Sequence, residues 1–322
     1  MRAFLFSGQG SQKAGMADPL IAMSCDAARI YEQAESFSKI NIRSLQAEEL
    51  TKTVNTQLAV SVYSAALWSA LPESERRSSV LAGFSLGEYS ALYAAGVISL
   101  DALVQLILWR SRFMQAVIDR SDALGMAAVI GLDAAAVERV LKEADASADP
   151  AEAVYAVNFN SPVQTVISGA TAMIERLKPP LKAAGAGRIV TLRVAGAFHS
   201  PYFQEAADRL CEQAAALTFS SPSHTLYSNL TAAPLPVDTN WPEYLKKTLV
   251  SPVYFTDELR RLQADGVTGM VEVGPGKTLI GFADQTLTGM PVQHASALLV
   301  LSGQHRSGSP ALGSAGSPAW TP

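Results

Sequence analysis

The stretch Gly83-Phe84-Ser85-Leu86-Gly87 constrains this chain more than any other, because of what flanks it. Upstream, Ser79-Val80-Leu81-Ala82 reads as a short buried strand. Downstream, Glu88-Tyr89-Ser90-Ala91-Leu92-Tyr93-Ala94-Ala95 is rich in helix formers, with Gly96 as a stop. Strand, tight turn and helix is the setting that forces a G-x-S-x-G serine onto a strained elbow with its hydroxyl exposed. The two glycines let the turn close and let the helix sit tightly against its neighbour. The backbone N–H groups that follow then point toward whatever the serine attacks. Ser85 is therefore the candidate nucleophile.

With 322 residues and 48% hydrophobic content, the chain can bury one large core or two unequal ones. Its net charge is −4, and no dense Lys/Arg stripe interleaved with aromatics suggests a nucleic-acid partner. Cys25 and Cys211 lie far apart without a partner motif, which fits a reducing compartment and excludes a disulfide framework. Ala3-Phe4-Leu5-Phe6 is too short for a signal peptide, and no apolar run approaches the ~18 residues of a membrane span. A monomeric, cytoplasmic protein is expected.

Residues 2–6 read as a first strand ending in the turn Ser7-Gly8-Gln9-Gly10-Ser11-Gln12. Helical material follows over 18–71, then the elbow, then a long helix over 100–118. This alternation predicts an α/β fold around a mainly parallel sheet. The middle of the chain reads differently: strand 126–132, helix 133–144 capped by Asp133, strands 154–159 and 165–168, helix 172–184 and strand 188–194. That β-α-β-β-α-β order is ferredoxin-like. Pro179-Pro180 should break or kink the second of its helices. The predicted organisation is a large subdomain of 1–124 and 195–301, with a small one inserted over 125–194. Residues 302–322 are rich in Gly, Ser and Pro and read as a disordered tail.

A serine nucleophile needs a base, and the chain holds only His199, His224, His294 and His305. His305 falls in the predicted tail, with His294 near it, and His224 beside Pro222 reads as a surface residue. His199 closes the predicted strand Arg193-Val194-Ala195-Gly196-Ala197-Phe198, where sites of α/β sheets gather. A histidine there can also be structural; the need for a base, with so few alternatives, decides for His199. Asp133, Asp145, Asp149 and Glu152, between Ser85 and His199, fall in the inserted subdomain, the wrong place for a triad acid, so His199 is expected to be oriented by something other than a carboxylate. Arg110 lies on a helix that is apolar on both sides. It can snorkel to solvent or hold a substrate carboxylate bidentately, and position alone leaves both open. Gly274-Pro275-Gly276-Lys277-Thr278 looks like a phosphate loop, but the Walker spacing needs Gly where Val271 stands. It reads instead as a strand-to-helix turn near the site.

Taken together, these residues resemble the malonyl-CoA:acyl carrier protein transacylases, from about Phe4 to Phe282. The resemblance rests on Gly8-Gln9-Gly10-Ser11-Gln12, the elbow with Glu88-Tyr89-Ser90-Ala91-Leu92, and Arg110 with Phe113-Met114-Gln115. It rests also on Gly125-Met126-Ala127-Ala128-Val129, Asn158-Phe159-Asn160-Ser161-Pro162, Ala197-Phe198-His199-Ser200 and Glu272-Val273-Gly274-Pro275-Gly276. It implies an α/β-hydrolase-like large subdomain with a ferredoxin-like insertion. It further implies ping-pong transfer of malonyl from malonyl-CoA to an acyl carrier protein, with no cofactor and no metal. In that scheme Ser85 takes the acyl group, His199 is the base, and the N–H groups of Gln9 and Leu86 form the oxyanion hole. Arg110 pairs with the malonyl carboxylate, Phe198 and Asn160 contact substrate, and a carbonyl in Ser251-Pro252-Val253-Tyr254, taken as that of Tyr254, orients His199. Fatty-acid synthesis is the expected pathway. The alternatives are a discrete polyketide-synthase acyltransferase, or a thioesterase on the same elbow. Lys182, Arg188, Lys246 and Lys247 are candidate carrier-docking cations. Departures from the family pattern are Phe84 for His, Ser7 and Leu58 for Pro, and Tyr254 for Gln. Phe84 bears on which acyl group is accepted.

Overall fold

Ala3, Phe4, Leu5 and Phe6 are all fully buried, so the first strand must be covered on both faces, as in a parallel sheet. The computed structural model describes residues 1–77, 79–120, 123–145, 152–192 and 196–299. Its strands are β1 (Arg2–Phe6), β2 (Ser79–Gly83), β3 (Leu124–Ile130), β4 (Val154–Ser161), β5 (Gln164–Ala170), β6 (Arg188–Thr191), β7 (Thr225–Leu226), β8 (Gly269–Val273) and β9 (Val292–His294). β1 is the centre of a five-stranded sheet ordered β7-β2-β1-β8-β9, parallel throughout. Alternate side chains serve opposite layers, because successive residues of a strand point to opposite faces. Phe4, Phe6, Leu81, Val271 and Val273 join one core with the helices Thr53–Ala70 and Leu100–Ile118. Ala3, Leu5, Val80, Ala82 and Met270 join another with the helices Phe255–Ala264 and Thr278–Thr286.

The second sheet is antiparallel, ordered β4-β5-β3-β6, and its first strand begins one residue before the predicted subdomain boundary. With the helices Ala134–Asp145 and Thr171–Ala183 this is the predicted ferredoxin-like order. Asp133 Oδ1 accepts from the Ala136 N–H at 2.8 Å, the predicted cap. Pro179 and Pro180 do not break Thr171–Ala183. Both prolines are exposed, as are Glu175 and Arg176, whose carbonyls lose their helical donors and can turn to water. Meanwhile Met173, Ile174, Leu177 and Leu181 hold the buried face.

β9 lies in a stretch to which the sequence assigned no element, within the predicted large subdomain. His294 is part of this strand, and its Nε2 lies 2.8 Å from the Gly274 carbonyl. The predicted tail 302–322 and the boundary after residue 194 lie outside the described residues. Among the described residues no helix is long and apolar enough to cross a membrane.

Candidate active site

Four neighbouring parallel strands deliver their carboxyl ends to one place, where α/β sheets gather their sites. β2 ends at Gly83 and the chain turns through Ser85 into the helix Gly87–Ala94. A side-chain atom on Gly87 would collide with the Phe6 carbonyl, and one on Gly83 with the start of that helix. The glycines therefore permit the close approach that the elbow needs. Ser85 sits at φ 53°, a left-handed conformation that costs a non-glycine residue about 1–3 kcal/mol. β1 ends beside the elbow, where Gly8 leaves room for the Phe84 carbonyl and so brings Gln9 next to Ser85. The backbone N–H groups of Gln9 and Leu86 make no hydrogen bond to any other described residue.

Ser85 Oγ lies 2.6 Å from His199 Nε2. His199 is also left-handed, at φ 60°, and buried. Ser168 of β5 fixes the preceding peptide by donating to the Phe198 carbonyl at 2.9 Å. His199 Nδ1 lies 3.0 Å from the carbonyl of Thr248, which corrects the expectation for Tyr254. The Tyr254 carbonyl instead accepts from the Glu258 N–H at 3.0 Å, starting the next helix. The reason lies in the chain: the helical donor for Thr248 would come four residues on, from Pro252, which has no N–H. The Thr248 carbonyl, in the last turn of the helix Trp241–Val250, is thus left for the imidazole. Burial, and then the charge of Arg110, push His199 down to about 4, against backbone hydrogen bonding at Thr248 and Ser251. The imidazole is therefore neutral near pH 7 and able to accept a proton.

Arg110 is 4% exposed and lines the same cavity of about 250 Å³ as Ser85 and His199. Its Nη1 donates to Gln57 Oε1 at 2.5 Å, and its guanidinium lies 5.4 Å from the centre of the Tyr89 ring. Its Nε has no partner. Among the described residues no carboxylate lies within ion-pairing distance of it. Burial pulls its pKa down, and Tyr89 and then the carboxyl of Glu88 only partly oppose this. Of the two sequence readings of Arg110, the structure selects the buried guanidinium over the snorkelling one. Gln57, buried on the helix Thr53–Ala70, is a partner that the sequence did not single out. A glutamine among the small buried residues of that helix was the available signal.

Asn160 lines the cavity as well, buried and with an unpartnered Oδ1. Phe198 lines it with Met126, Val166 and Leu192. Phe84 lines it too, edge-on to Phe255 at 5.2 Å and tilted against Phe282 at 5.9 Å. Ser7, at a family proline position, donates to buried Glu272 at 2.7 Å. Tyr254 stacks on Phe159 at 5.2 Å. Gly274 and Gly276 lie against Ser7 and Ser11, and Thr278 lines the cavity, so that turn does flank the site. Gln9, Leu192 and Phe198 are shared with an outer cavity of about 890 Å³, lined also by Gly10, Gln12, Lys13, Thr51 and Thr53. His224 is engaged elsewhere, 3.0 Å from the Arg76 carbonyl.

A family model described as an acyl transferase domain matches residues 3–307. The chain is 36% identical over 304 residues to a malonyl CoA-acyl carrier protein transacylase of Salmonella typhimurium, covering 92% of this chain and 97% of that one. The transacylase structure from Clostridium perfringens superposes with a TM-score of 0.86 at 28% identity, over 95% of this chain and 98% of that one. A malonyl-transacylase solved in complex with a type II polyketide-synthase acyl-carrier protein superposes with a TM-score of 0.85 at 31% identity, over 94% and 99%. Sequence likeness along nearly the whole length and the same backbone trace agree: the chain belongs to the malonyl CoA-acyl carrier protein transacylase family.

Proposed function

We propose that this enzyme moves a malonyl group from malonyl-CoA to the phosphopantetheine thiol of an acyl carrier protein through a malonyl-serine, in fatty-acid synthesis. The observation that carries the reading is Arg110: a buried cation with no carboxylate partner among the described residues, in one cavity with the Ser85–His199 pair. An acyl group that brings its own carboxylate supplies the missing partner.

In the first half-reaction His199 Nε2 takes the Ser85 proton as Oγ attacks the thioester carbonyl. The N–H groups of Gln9 and Leu86 receive the developing oxyanion, where losing one such donor typically costs about 3–4 kcal/mol. The Thr248 carbonyl keeps the Nδ1 tautomer and steadies the imidazolium. The thiol of coenzyme A departs with the proton from His199. The carrier thiol then enters by the outer cavity, gives His199 its proton and attacks the malonyl-serine carbonyl; the Oγ–acyl bond breaks and Ser85 takes the proton back from His199. Asn160 and Phe198 orient the acyl group. These steps use side chains of one chain, which supports a working monomer, and the exposed free thiol of Cys25 supports a reducing cytoplasm. Of the docking cations, Lys246 is paired with Asp208 at 2.8 Å and Lys182 donates to the Gly187 carbonyl. Arg188 and Lys247 are exposed candidates, with Lys13 at the outer cavity.

The test is Arg110→Ala, followed by intact-protein mass spectrometry and by transfer to a carrier. Leaving the malonyl carboxylate unpaired costs roughly 2–5 kcal/mol, so malonyl transfer should fall about 30-fold or more while acetyl transfer is spared. Equal loss for both acyl groups would remove the carboxylate role. Rapid release of free malonate, in place of a lasting adduct on wild-type Ser85, would favour a thioesterase. The neighbour solved with a polyketide carrier makes a polyketide role the second reading. Rates with carriers of both kinds separate the two.

A further inference from the structure

Asn229, three residues beyond β7, lines neither the reaction cavity nor the outer one, yet every polar atom it has is spent on the elbow and its support. Its Oδ1 accepts from the Ser85 N–H at 2.7 Å. Its Nδ2 donates to the Gly83 carbonyl at 2.5 Å and to Glu258 Oε2 at 2.7 Å. Its backbone N–H donates to Glu88 Oε1 at 3.1 Å, and its carbonyl accepts from the Tyr254 N–H at 2.9 Å. The side chain thus bridges the residues on either side of Phe84 and is 1% exposed. The amide can face only one way, because the Ser85 N–H can only donate and the Gly83 and Glu258 oxygens face it as acceptors. Glu258 is fully buried, and Glu88 is held in turn by the Tyr244 hydroxyl.

We propose that Asn229 is a positioning residue for acyl transfer, a clamp that holds Ser85 in its left-handed conformation and so aims both Oγ and the Leu86 N–H that follows. The inference rests on the transacylase reading, in which those two groups meet the thioester. Without the clamp the Ser85 N–H and the Gly83 carbonyl lose their partners behind the nucleophile. The elbow is then free to relax away from φ 53°. Substrate binding is left alone, because Asn229 touches neither cavity.

Wild type, Asn229→Ala, Asn229→Asp and the double variant Asn229→Asp/Glu258→Gln are compared in single-turnover acylation of Ser85 by malonyl-CoA, with circular dichroism to score folding. Asn229→Ala and Asn229→Asp should each slow acylation about 10- to 100-fold at saturation, since displacement on the ångström scale costs that much. KM for malonyl-CoA should stay within about twofold, the signature of an interaction that does not contribute to binding. Asn229→Asp keeps the acceptor for Ser85 but sets an oxygen against the Gly83 carbonyl and, once Glu258 is ionised, against that carboxylate. Glu258→Gln supplies a donor that an ionised Glu258 lacks, so at alkaline pH the double variant should recover about tenfold over the single. A purely structural role would lower thermal stability without this split between kcat and KM. A folded Asn229→Ala that acylates at the wild-type rate overturns the proposal, as does a raised KM with kcat unchanged. If Asn229→Ala does not fold, the two variants that carry Asn229→Asp decide: a double variant no faster than the single one overturns it. Wild type that takes up no malonyl overturns the transacylase reading and this inference together, whereas acylated wild type with unimpaired variants overturns the inference alone.

Discussion

His199 shows how one residue's chemistry is set by groups distant in sequence. Burial and the Arg110 charge favour the neutral imidazole, and the Thr248 carbonyl decides which nitrogen carries the proton. Because the pKa is pushed from 6.5 down to about 4, the base is competent through the whole neutral range. Single-turnover acylation should therefore inflect near pH 4; an inflection near 6.5 would contradict the buried, Arg110-facing imidazole. The sign for stability follows. Between pH 6.5 and 4 the unfolded chain binds a proton at this residue that the folded one refuses, so His199 withdraws stability as pH falls through that window. Ser85 and His199 were legible in the sequence, one from its elbow and the other from the scarcity of histidines. Thr248 was not, although Pro252 four residues later marks a carbonyl without its helical donor.

At the scale of elements, the elbow is a contact between strand ends as much as a turn. Gly87 begins its helix directly on the Phe6 carbonyl, at the end of β1, and any side chain there forces the helix away from the sheet. Gly87→Ala should therefore destabilise the protein by more than about 2 kcal/mol, read as a lower midpoint in urea with an unchanged slope. A midpoint within experimental error of wild type would show that the helix can shift without cost. The glycines of the motif were read from sequence as permitting close approach, and this is the contact they permit. Pro179-Pro180 illustrates the opposite case. The pair predicted a break, but both rings face solvent while the helix's apolar stripe stays on the sheet. Packing of one face outweighs the loss of two amide donors on the other.

At the scale of the molecule, the large subdomain hides two carboxyl groups, Glu88 and Glu258, behind the elbow. Burial pushes Glu88 up from 4.5 to about 7 and Glu258 well above its ordinary value, the carboxyl of Glu88 adding to the latter. A folded state that keeps its protons longer than the unfolded one loses stability as pH rises, here from 4.5 through 7 and beyond. Thermal melts across that range should show Tm falling less steeply in Glu258→Gln than in wild type; parallel curves would show that Glu258 is not a buried acid in solution. The sequence by itself determined the α/β class, the ferredoxin-like insertion, the elbow and a short list of reactive residues. Those depend on periodicity, turn chemistry and residue type, all local properties of the chain. Only the tertiary structure decided that Arg110 is buried without a carboxylate partner among the described residues, that Gln57 and Thr248 hold Arg110 and His199, and that Asn229 reaches the elbow across 144 residues. Each of these depends on which strand ends and helix ends meet, and in a parallel sheet that is set by long crossovers rather than by neighbours in sequence.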